Sequence, residues 1–279
     1  MSPDEADARR AAIWSVTSGK GGVGKTTLSL NLGIALSRLG RQVLLIDADL
    51  GLANVNILLG ASPDLTLEDL LRGRATAFDV TLPGPEGLTV LPAATGLAES
   101  DAWRSEDRER LADELGRLER GFDVILIDTG AGISAKVTDF VLSSDRMLVV
   151  AVPEPTSIAD AYAMVKVCGS QRQDLDLGLV VNRARSPREA YELREKFEQI
   201  LGRFLGLELS FGGHVLEDLS VERAARDQQP LLLSQPKAQA SLCIEKLARD
   251  LAPDGVDLKV DAPGLFERLM ARSTTAAGI

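Results

Sequence analysis

Cysteine and histidine are scarce in this chain, whose 279 residues include two cysteines and one histidine. Cys168 and Cys243 lie far apart, each within an apolar pattern of helical period, whereas disulfide frameworks and metal sites need clustered cysteines. We therefore interpret both as small buried hydrophobic residues. His214 has no acidic or cysteine partner at catalytic spacing, so we assign it no role.

The sequence also lacks a long hydrophobic run and an excess of positive charge. It contains no stretch of about eighteen apolar residues, and its charged N-terminus, MSPDEADARR, does not have the apolar core of a signal peptide. We therefore expect a cytoplasmic protein. The net charge is −10 and the isoelectric point is near 4.8, which leaves no strong case for nucleic acid as a partner.

Short apolar, β-branched runs alternate with longer stretches of helical period along most of the chain. This alternation is typical of an α/β fold, and we predict one mostly parallel sheet of seven or eight strands with helices on both faces. The predicted strands are 12–18, 41–48, 88–93, 122–129, 146–152, 177–183 and 207–213. The predicted helices are 25–39, 66–72, 103–120, 134–143, 156–169, 186–205, 217–228 and 236–251.

The stretch GKGGVGKTT at residues 19–27 matches the phosphate-binding pattern G-x-x-x-x-G-K-[ST]. It follows a predicted strand and opens a predicted helix, which is the structural context that the pattern requires. The loop amides and the helix N-terminus would surround phosphate oxygens, Lys25 would neutralise the β and γ phosphates, and the Thr26 hydroxyl would ligate magnesium. The predicted phosphate-binding residues are Gly19, Lys20, Gly21, Gly22, Val23, Gly24, Lys25, Thr26 and Thr27.

Acidic residues end two of the apolar strands. FDVILIDT places Asp128 at a strand end, and QVLLIDAD places Asp47 at another, with Asp49 two residues further on. One such residue alone is usually a helix cap or a solvated turn. Two of them downstream of a phosphate-binding loop indicate a magnesium nucleotide site.

These motifs together resemble the MinD and ParA family of deviant Walker A ATPases. The resemblance rests on Lys20, on DADLGLANVN (47–56) and on DTGAG (128–132), and it extends from about residue 12 to residue 235. PEPTSIADAYAMVKV (153–167) and VVNR (180–183) are more similar to the flagellar-number branch than to MinD itself. The resemblance implies a P-loop ATPase domain at 12–252, preceded by a flexible tail at 1–11, with ATP or ADP and Mg2+ as cofactors.

The family match implies a catalytic role for Lys20, Lys25 and Asp49. Lys20 would be the signature lysine, which reaches the partner's phosphates in an ATP-bound homodimer, and Asp49 would orient or activate the attacking water. Asp47 and Asp128 would organise magnesium through water. Hydrolysis of ATP to ADP and phosphate would then be slow and dependent on the dimer, so that it times disassembly.

The match also implies an adenine pocket. Asn182 would hydrogen-bond the base, and the backbone of Leu216, Glu217 and Asp218 would complete the pocket. Without the family match, Asn182 reads equally well as a turn residue that closes the strand at 177–183.

Near the C-terminus, GLFERLMARS (264–273) places Leu265, Phe266, Leu269 and Met270 on one helical face. After a flexible spacer, this face resembles the reversible membrane anchor of MinD-like proteins, so we predict a linker and a membrane-targeting helix at 253–279. Two such helices in a dimer would hold a lipid surface on the inner face of the cell membrane more firmly than one. The alternative is a helix that docks on the protein's own core.

The N-terminal segment DEADARR (4–10) resembles the family segment DQAxxLR, which stimulates the partner GTPase FlhF. It departs at Glu5 and Arg9, and the alternative is a disordered charged tail. The expected partners are an FlhF-type GTPase, flagellar switch or C-ring components, or a flagellar transcription activator.

Three other functions remain as alternatives. A MinD-like regulator of the division site would use the same fold. A ParA-like partition ATPase would need a basic dimer surface, which the acidic composition disfavours. A metal-cluster ATPase would need cysteines after the strand that ends in Asp128, and DTGAGISAKVTDF has none.

Overall fold

The computed structural model describes residues 10–49, 55, 64–65, 69–70, 72–92 and 105–276, with only the backbone described at 105–112 and 273–276. Within these residues, eight strands form one sheet in the order β3-β4-β2-β5-β1-β6-β7-β8. Neighbouring strands are parallel except for the pair β3 and β4. The predicted fold class is therefore confirmed. The strands are β1 Ala12–Ser18, β2 Val43–Ala48, β3 Leu82–Pro83, β4 Thr89–Leu91, β5 Val124–Ala131, β6 Arg146–Ala151, β7 Asp176–Ala184 and β8 Phe211–Leu216.

Helices cover both faces of the sheet. One face packs against α1, α7 and α8, and the other against α2, α3, α4, α5 and α9. The central strands are buried on both sides, which explains why their sequences are continuous apolar runs without alternation. The described helices are α1 Lys25–Arg38, α2 Ser105–Arg120, α3 Ala135–Ser143, α4 Pro155–Gln171, α5 Pro187–Leu205, α6 Leu219–Arg226, α7 Leu231–Ser234, α8 Gln239–Leu251 and α9 Leu265–Ala276.

Helix α1 is buried along most of its length, and beyond Lys25 at its start two polar side chains lie within that buried part. Asn31 is satisfied, because its amide donates to the carbonyl of Thr27 at 2.7 Å and its oxygen accepts from the N–H of Leu232 at 2.9 Å. It thereby ties α7 to α1. The second polar residue, Ser29, contacts the functional site described below.

Six predicted strands agree with the structure to within about two residues at each end, but the last one is wrong by four residues. Helix α5 ends at Leu205, because the next residue, Gly206, has a left-handed φ of 66°, and β8 starts only at Phe211. The glycine pair in FGGHVL is more typical of a turn, so the sequence does not reveal the strand. In the structure, Gly212 lies so close to Arg194 that a Cβ would collide with its guanidinium. The short edge strand β3 was not predicted, and the helix predicted at 236–251 begins at residue 239. The helix predicted at 66–72 lies largely outside the described residues.

The C-terminal helix, which we predicted to be a membrane-targeting helix after a flexible linker, is docked on the body in this conformation. Leu265, Phe266 and Leu269 are 0%, 1% and 8% exposed in the core shared with α2 and α3, and Met270 packs against the same core. The docking alternative is therefore the one that the structure shows, since this apolar face packs against α2 and α3. The membrane-targeting role of the helix stays a prediction. None of the described helices is both long and apolar enough to cross a bilayer.

Both ends of the described chain meet at Asp145, just before β6. Its carboxylate accepts two hydrogen bonds from the Arg10 guanidinium, at 2.7 and 2.8 Å, one from Arg268 at 3.0 Å and one from the N–H of Ile13 at 2.9 Å. Burial alone would raise the pKa of Asp145, but the hydrogen bonds and the charges of Arg10 and Arg268 hold it below its usual value. One carboxylate thus fixes α9 and the start of β1.

Arg10 also holds the segment that leads to α9. Its Nε donates to the carbonyl of Pro263 at 2.6 Å, and its backbone pairs with that of Val260. Arg10 is 4% exposed and Ala11 is fully buried. Arg10 and Ala11, which we predicted to belong to a flexible tail at 1–11, are therefore part of the packed body, and residues 1–9 lie outside the described residues.

Helix α9 starts against a buried carboxylate of α2. The two oxygens of Glu119 accept the N–H groups of Leu265 and Phe266 at 3.1 and 3.0 Å, so a side chain from another helix satisfies the helix start. Burial raises the pKa of Glu119 to about 7 from its usual 4.5, although these hydrogen bonds and the charges of Arg10 and Arg268 oppose the rise.

The pKa of Glu119 predicts a pH dependence of stability. Because its pKa is higher in the folded protein than in the unfolded chain, the folded state binds more protons between pH 4.5 and about 7, and stability falls as pH rises through this window. We expect the Glu119→Gln variant to lose this part of the decline in urea unfolding at pH 5 and pH 7.5. The control is Glu208→Gln at an exposed position, and a decline in Glu119→Gln as steep as in the control would contradict the prediction.

Candidate nucleotide-binding site

The loop at residues 19–24 joins the buried strand β1 to the buried helix α1. Its glycines at 22 and 24 have left-handed φ values of 76° and 90°, a region that favours glycine. At Gly24 space is limiting as well, because a Cβ would lie 2.5 Å from the side-chain nitrogen of Asn182. No side chain caps the start of α1 at Gly24, so the helix N-terminus opens into the loop, where an anion would be favoured.

Lys25 lies in the floor of this loop and is 8% exposed. Its ammonium donates to the Ser18 hydroxyl at 3.0 Å, and that hydroxyl donates to the carbonyl of Lys20 at 2.6 Å. Burial lowers the pKa of Lys25, and the negative charges of Asp128 and Asp49 counteract part of this effect. A buried ammonium with one hydroxyl partner is suited to receive an anionic ligand.

Asp47 and Asp128 lie side by side at the carboxyl ends of β2 and β5, and both are completely buried. Asp47 accepts the backbone N–H groups of Asp49 at 3.1 Å and Val55 at 3.3 Å. Oδ1 of Asp128 accepts from the Ser29 hydroxyl at 3.0 Å. Burial raises the pKa of Asp128 to about 7, with Asp47 adding to the rise and with Thr26, Ser29 and Lys25 opposing it.

The donor set fits a magnesium ion held partly through water. Oδ2 of Asp128 is buried and has no hydrogen-bond partner, and such an orphaned acceptor is costly unless a ligand or water completes it. Among the described residues, no cluster of three or more His, Cys, Asp or Glu side chains forms a protein-only metal site. Mg2+ ordinarily binds nucleotide sites through few protein ligands, phosphate oxygens and several waters.

Asp49 lies where the loops after β2 and β5 meet. A Cβ added to Gly130 would be 3.4 Å from its Oδ1, so the carboxylate packs against the backbone that follows Asp128. The structure thus brings Asp47, Asp49 and Asp128 to one edge of the sheet, beside Lys25. The role of Asp49 in orienting water stays a prediction.

The side chain of Lys20 lies outside the buried site of Lys25 and is held at the protein surface. Its ammonium donates to Glu154 at 2.8 Å and to the Thr156 hydroxyl at 3.4 Å, at the start of α4, and its side chain is 40% exposed. A hydrogen bond from Lys20 and its charge lower the pKa of Glu154. The two lysines of the loop therefore have different environments within one chain.

A mainly apolar cavity of about 250 Å3 adjoins the loop. Its lining includes Asn182 and the three residues predicted with it, Leu216, Glu217 and Asp218. The amide of Asn182 donates to the carbonyl of Val23 at 2.7 Å, so this residue fastens the end of β7 to the phosphate loop. The structure brings the predicted pocket residues together, and contact with adenine stays a prediction.

Three residues at the site were not singled out from the sequence: Ser18, Ser29 and Glu154. The signal for Ser29 is a small polar residue within the apolar stretch LSLNLGIAL, one helical turn after Lys25. Ser18 and Glu154 have no comparable signal in the sequence, because their contacts arise only in the folded loop. Ser18 donates to the carbonyl of Lys20, and Glu154 accepts from the Lys20 ammonium at the start of α4.

A glycine loop between a buried strand and helix, a buried lysine, and two carboxylates on adjacent strand ends define a P-loop nucleotide-binding protein. The sequence model of the CobQ/CobB/MinD/ParA nucleotide binding domain matches residues 14–231. The chain belongs to this family.

Two relatives have names connected with flagella. The chain is 37% identical to "Antiactivator FleN" of Pseudomonas aeruginosa over 271 residues, which cover 96% of each chain. It is 33% identical to "Flagellum site-determining protein YlxH" of Helicobacter pylori, covering 84% of this chain and 79% of the relative. Among solved structures, the septum site-determining protein MinD of Pyrococcus horikoshii, complexed with Mg-ADP, has a TM-score of 0.69 at 27% identity over 87% of this chain and 96% of its own.

Proposed function

We propose that this protein is a membrane-associating ATPase switch that dimerises with ATP and regulates flagellar number or placement, as FlhG (FleN) does. The nucleotide part rests on the buried Lys25 beside Asp47 and Asp128. The flagellar part rests on 37% identity to FleN along 96% of both chains.

Binding of the nucleotide follows from the site's charges. Lys25 moves from the Ser18 hydroxyl to the β and γ phosphates, and the base enters the cavity next to Asn182. Thr26, with Asp47 and Asp128 through water, would hold Mg2+, which supplies charge neutralisation on the phosphates. Asp49 orients the water that attacks the γ phosphate. The protein contributes positioning and charge neutralisation rather than a covalent nucleophile, which is consistent with a slow switch.

The position of Lys20 supports the proposed dimerisation. Its exposed ion pair with Glu154 is of the kind that contributes little to stability, so the ammonium can exchange this partner for phosphate oxygens of a second subunit. Association then requires ATP, and hydrolysis reverses it.

The Lys20→Ala variant tests this step. We expect wild-type protein to be monomeric with ADP and dimeric with ATP, as measured by light scattering. Lys20→Ala should remain monomeric with both nucleotides, bind ATP within about threefold of wild type, and lose more than about tenfold in ATPase rate, because trans contacts act on the transition state. Lys246→Ala, another exposed lysine in an ion pair, should behave as wild type. An ATP-dependent dimer of Lys20→Ala would contradict the proposal.

Association with a lipid surface requires α9 to leave the body, because Leu265, Phe266 and Leu269 are buried in the described conformation. Once released, its apolar face and Arg268 and Arg272 give the composition of an interfacial helix. Asp145 restrains this release through Arg268 and through Arg10.

Loosening that restraint should increase lipid binding. We expect Asp145→Asn to bind phosphatidylethanolamine–phosphatidylglycerol vesicles more strongly than wild type without nucleotide, and to be cut faster by trypsin after Lys259, because a buried charge pair is lost. Asp174→Asn is the control, since its carboxylate is 81% exposed and also pairs with an arginine. Faster cleavage without increased vesicle binding would show that α9 is not the anchor.

The flagellar role is tested in the organism that carries the gene. We expect deletion to change the number or position of flagella counted by electron microscopy, wild type to restore it, and Lys20→Ala to fail. Septum-site MinD proteins are also relatives, at 33% identity for the one from Synechocystis. Unchanged flagella with misplaced septa would favour that alternative.

The partner proposed for the switch is an FlhF-type GTPase, a flagellar switch component or a flagellar transcription activator. The name of the Pseudomonas relative, an antiactivator, supports the last of these. Residues 4–9 of the segment proposed to contact a GTPase lie outside the described residues, and Arg10 is engaged with Asp145.

A further inference from the structure

Ser29 links the phosphate-loop helix to the end of β5. It lies in α1, four residues after Lys25, and is completely buried. Serine within a helix commonly bonds back to a carbonyl of the preceding turn. Here the hydroxyl donates to Oδ1 of Asp128 at 3.0 Å, so its hydrogen bond leaves the helix.

The carboxylate that receives this bond has one fixed oxygen and one open oxygen. Rotation about the terminal torsion of an aspartate is broad and roughly two-fold, so burial alone does not decide which oxygen faces the nucleotide. Ser29 occupies Oδ1, while Oδ2 is buried without a partner. Asp47 lies beside this carboxylate in register and its charge raises the pKa of Asp128, while hydrogen bonds from Thr26 and Ser29 oppose that rise. Of these two donors, Ser29 is the one that lies deeper in α1, away from the phosphate loop.

We propose that Ser29 is a positioning residue that fixes Asp128 so that Oδ2 receives a water of the nucleotide-bound magnesium. This inference rests on the proposed binding of Mg-nucleotide. Ser29 touches neither nucleotide nor metal in this scheme and acts only through Asp128.

The test is the magnesium dependence of ADP binding in Ser29→Ala. Binding of a fluorescent ADP analogue is measured in EDTA and then across a Mg2+ titration. We expect the Mg2+ concentration at half-effect to rise about tenfold, the lower end of the loss seen when residues that orient metal ligands are removed. The affinity for metal-free ADP should stay within about twofold of wild type, because Lys25 and the loop are unchanged.

Two further variants separate positioning from packing. Ser143→Ala removes another completely buried serine hydroxyl, one that has no hydrogen-bond partner, and it should leave the magnesium midpoint unchanged. Ser29→Thr keeps the hydroxyl and should return the midpoint towards the wild-type value. An unchanged midpoint in Ser29→Ala overturns the inference, as does an equal loss of metal-free and magnesium-dependent affinity. Wild-type protein whose ADP binding ignores Mg2+ would instead overturn the proposed function.

Discussion

Two carboxylates buried next to each other at the ends of β2 and β5 impose the main constraint on this structure. Parallel pairing in register places Asp47 and Asp128 at the same edge of the sheet, and an uncompensated charge there costs several kcal/mol. The surrounding chain supplies the compensation through backbone N–H groups to Asp47, the Ser29 hydroxyl to Asp128 and the charge of Lys25. Because Oδ2 of Asp128 is left open, the compensation is incomplete until a ligand binds, and this connects stability to occupancy.

At the opposite end of the parallel strands, just before β6, another carboxylate is removed from solvent, and there the protein itself compensates its charge. Asp145 is also partly buried, but two arginines and a backbone N–H satisfy it completely, and they come from the two ends of the described chain. Both carboxylate oxygens of Asp145 therefore have partners within the described part of the chain. The nucleotide edge is therefore poised to respond to a small molecule, while the other edge is a structural closure that opens only if α9 or Arg10 moves.

The parts of the fold that depend on buried parallel strands and on the phosphate loop could be predicted from the sequence, since apolar runs and glycine spacing follow from local chemistry. The bounds of strand β8 could not, because its two glycines look like a turn in the sequence but lie within the strand, next to the side chains of Arg194 and Leu247. The docking of α9 could not either, because an apolar helical face does not specify which surface covers it. At the site, the roles of Lys25, Asp47 and Asp128 could be predicted from the spacing of the motifs. Those of Ser29 and Glu154 could not, because each depends on a contact between elements that are distant in the sequence.

The two lysines of the loop lie in different environments, which fits the different contacts proposed for them. Lys25 has given up most of its hydration and has a lowered pKa, so an arriving triphosphate gains a strong, poorly screened interaction. Lys20 keeps its exposure and a solvent-screened partner in Glu154, so leaving that partner costs little and returning to it gains little. In the dimer proposed above, a contact from Lys20 to a second subunit would therefore be only as stable as the γ phosphate that it binds, which is the property that a timer needs.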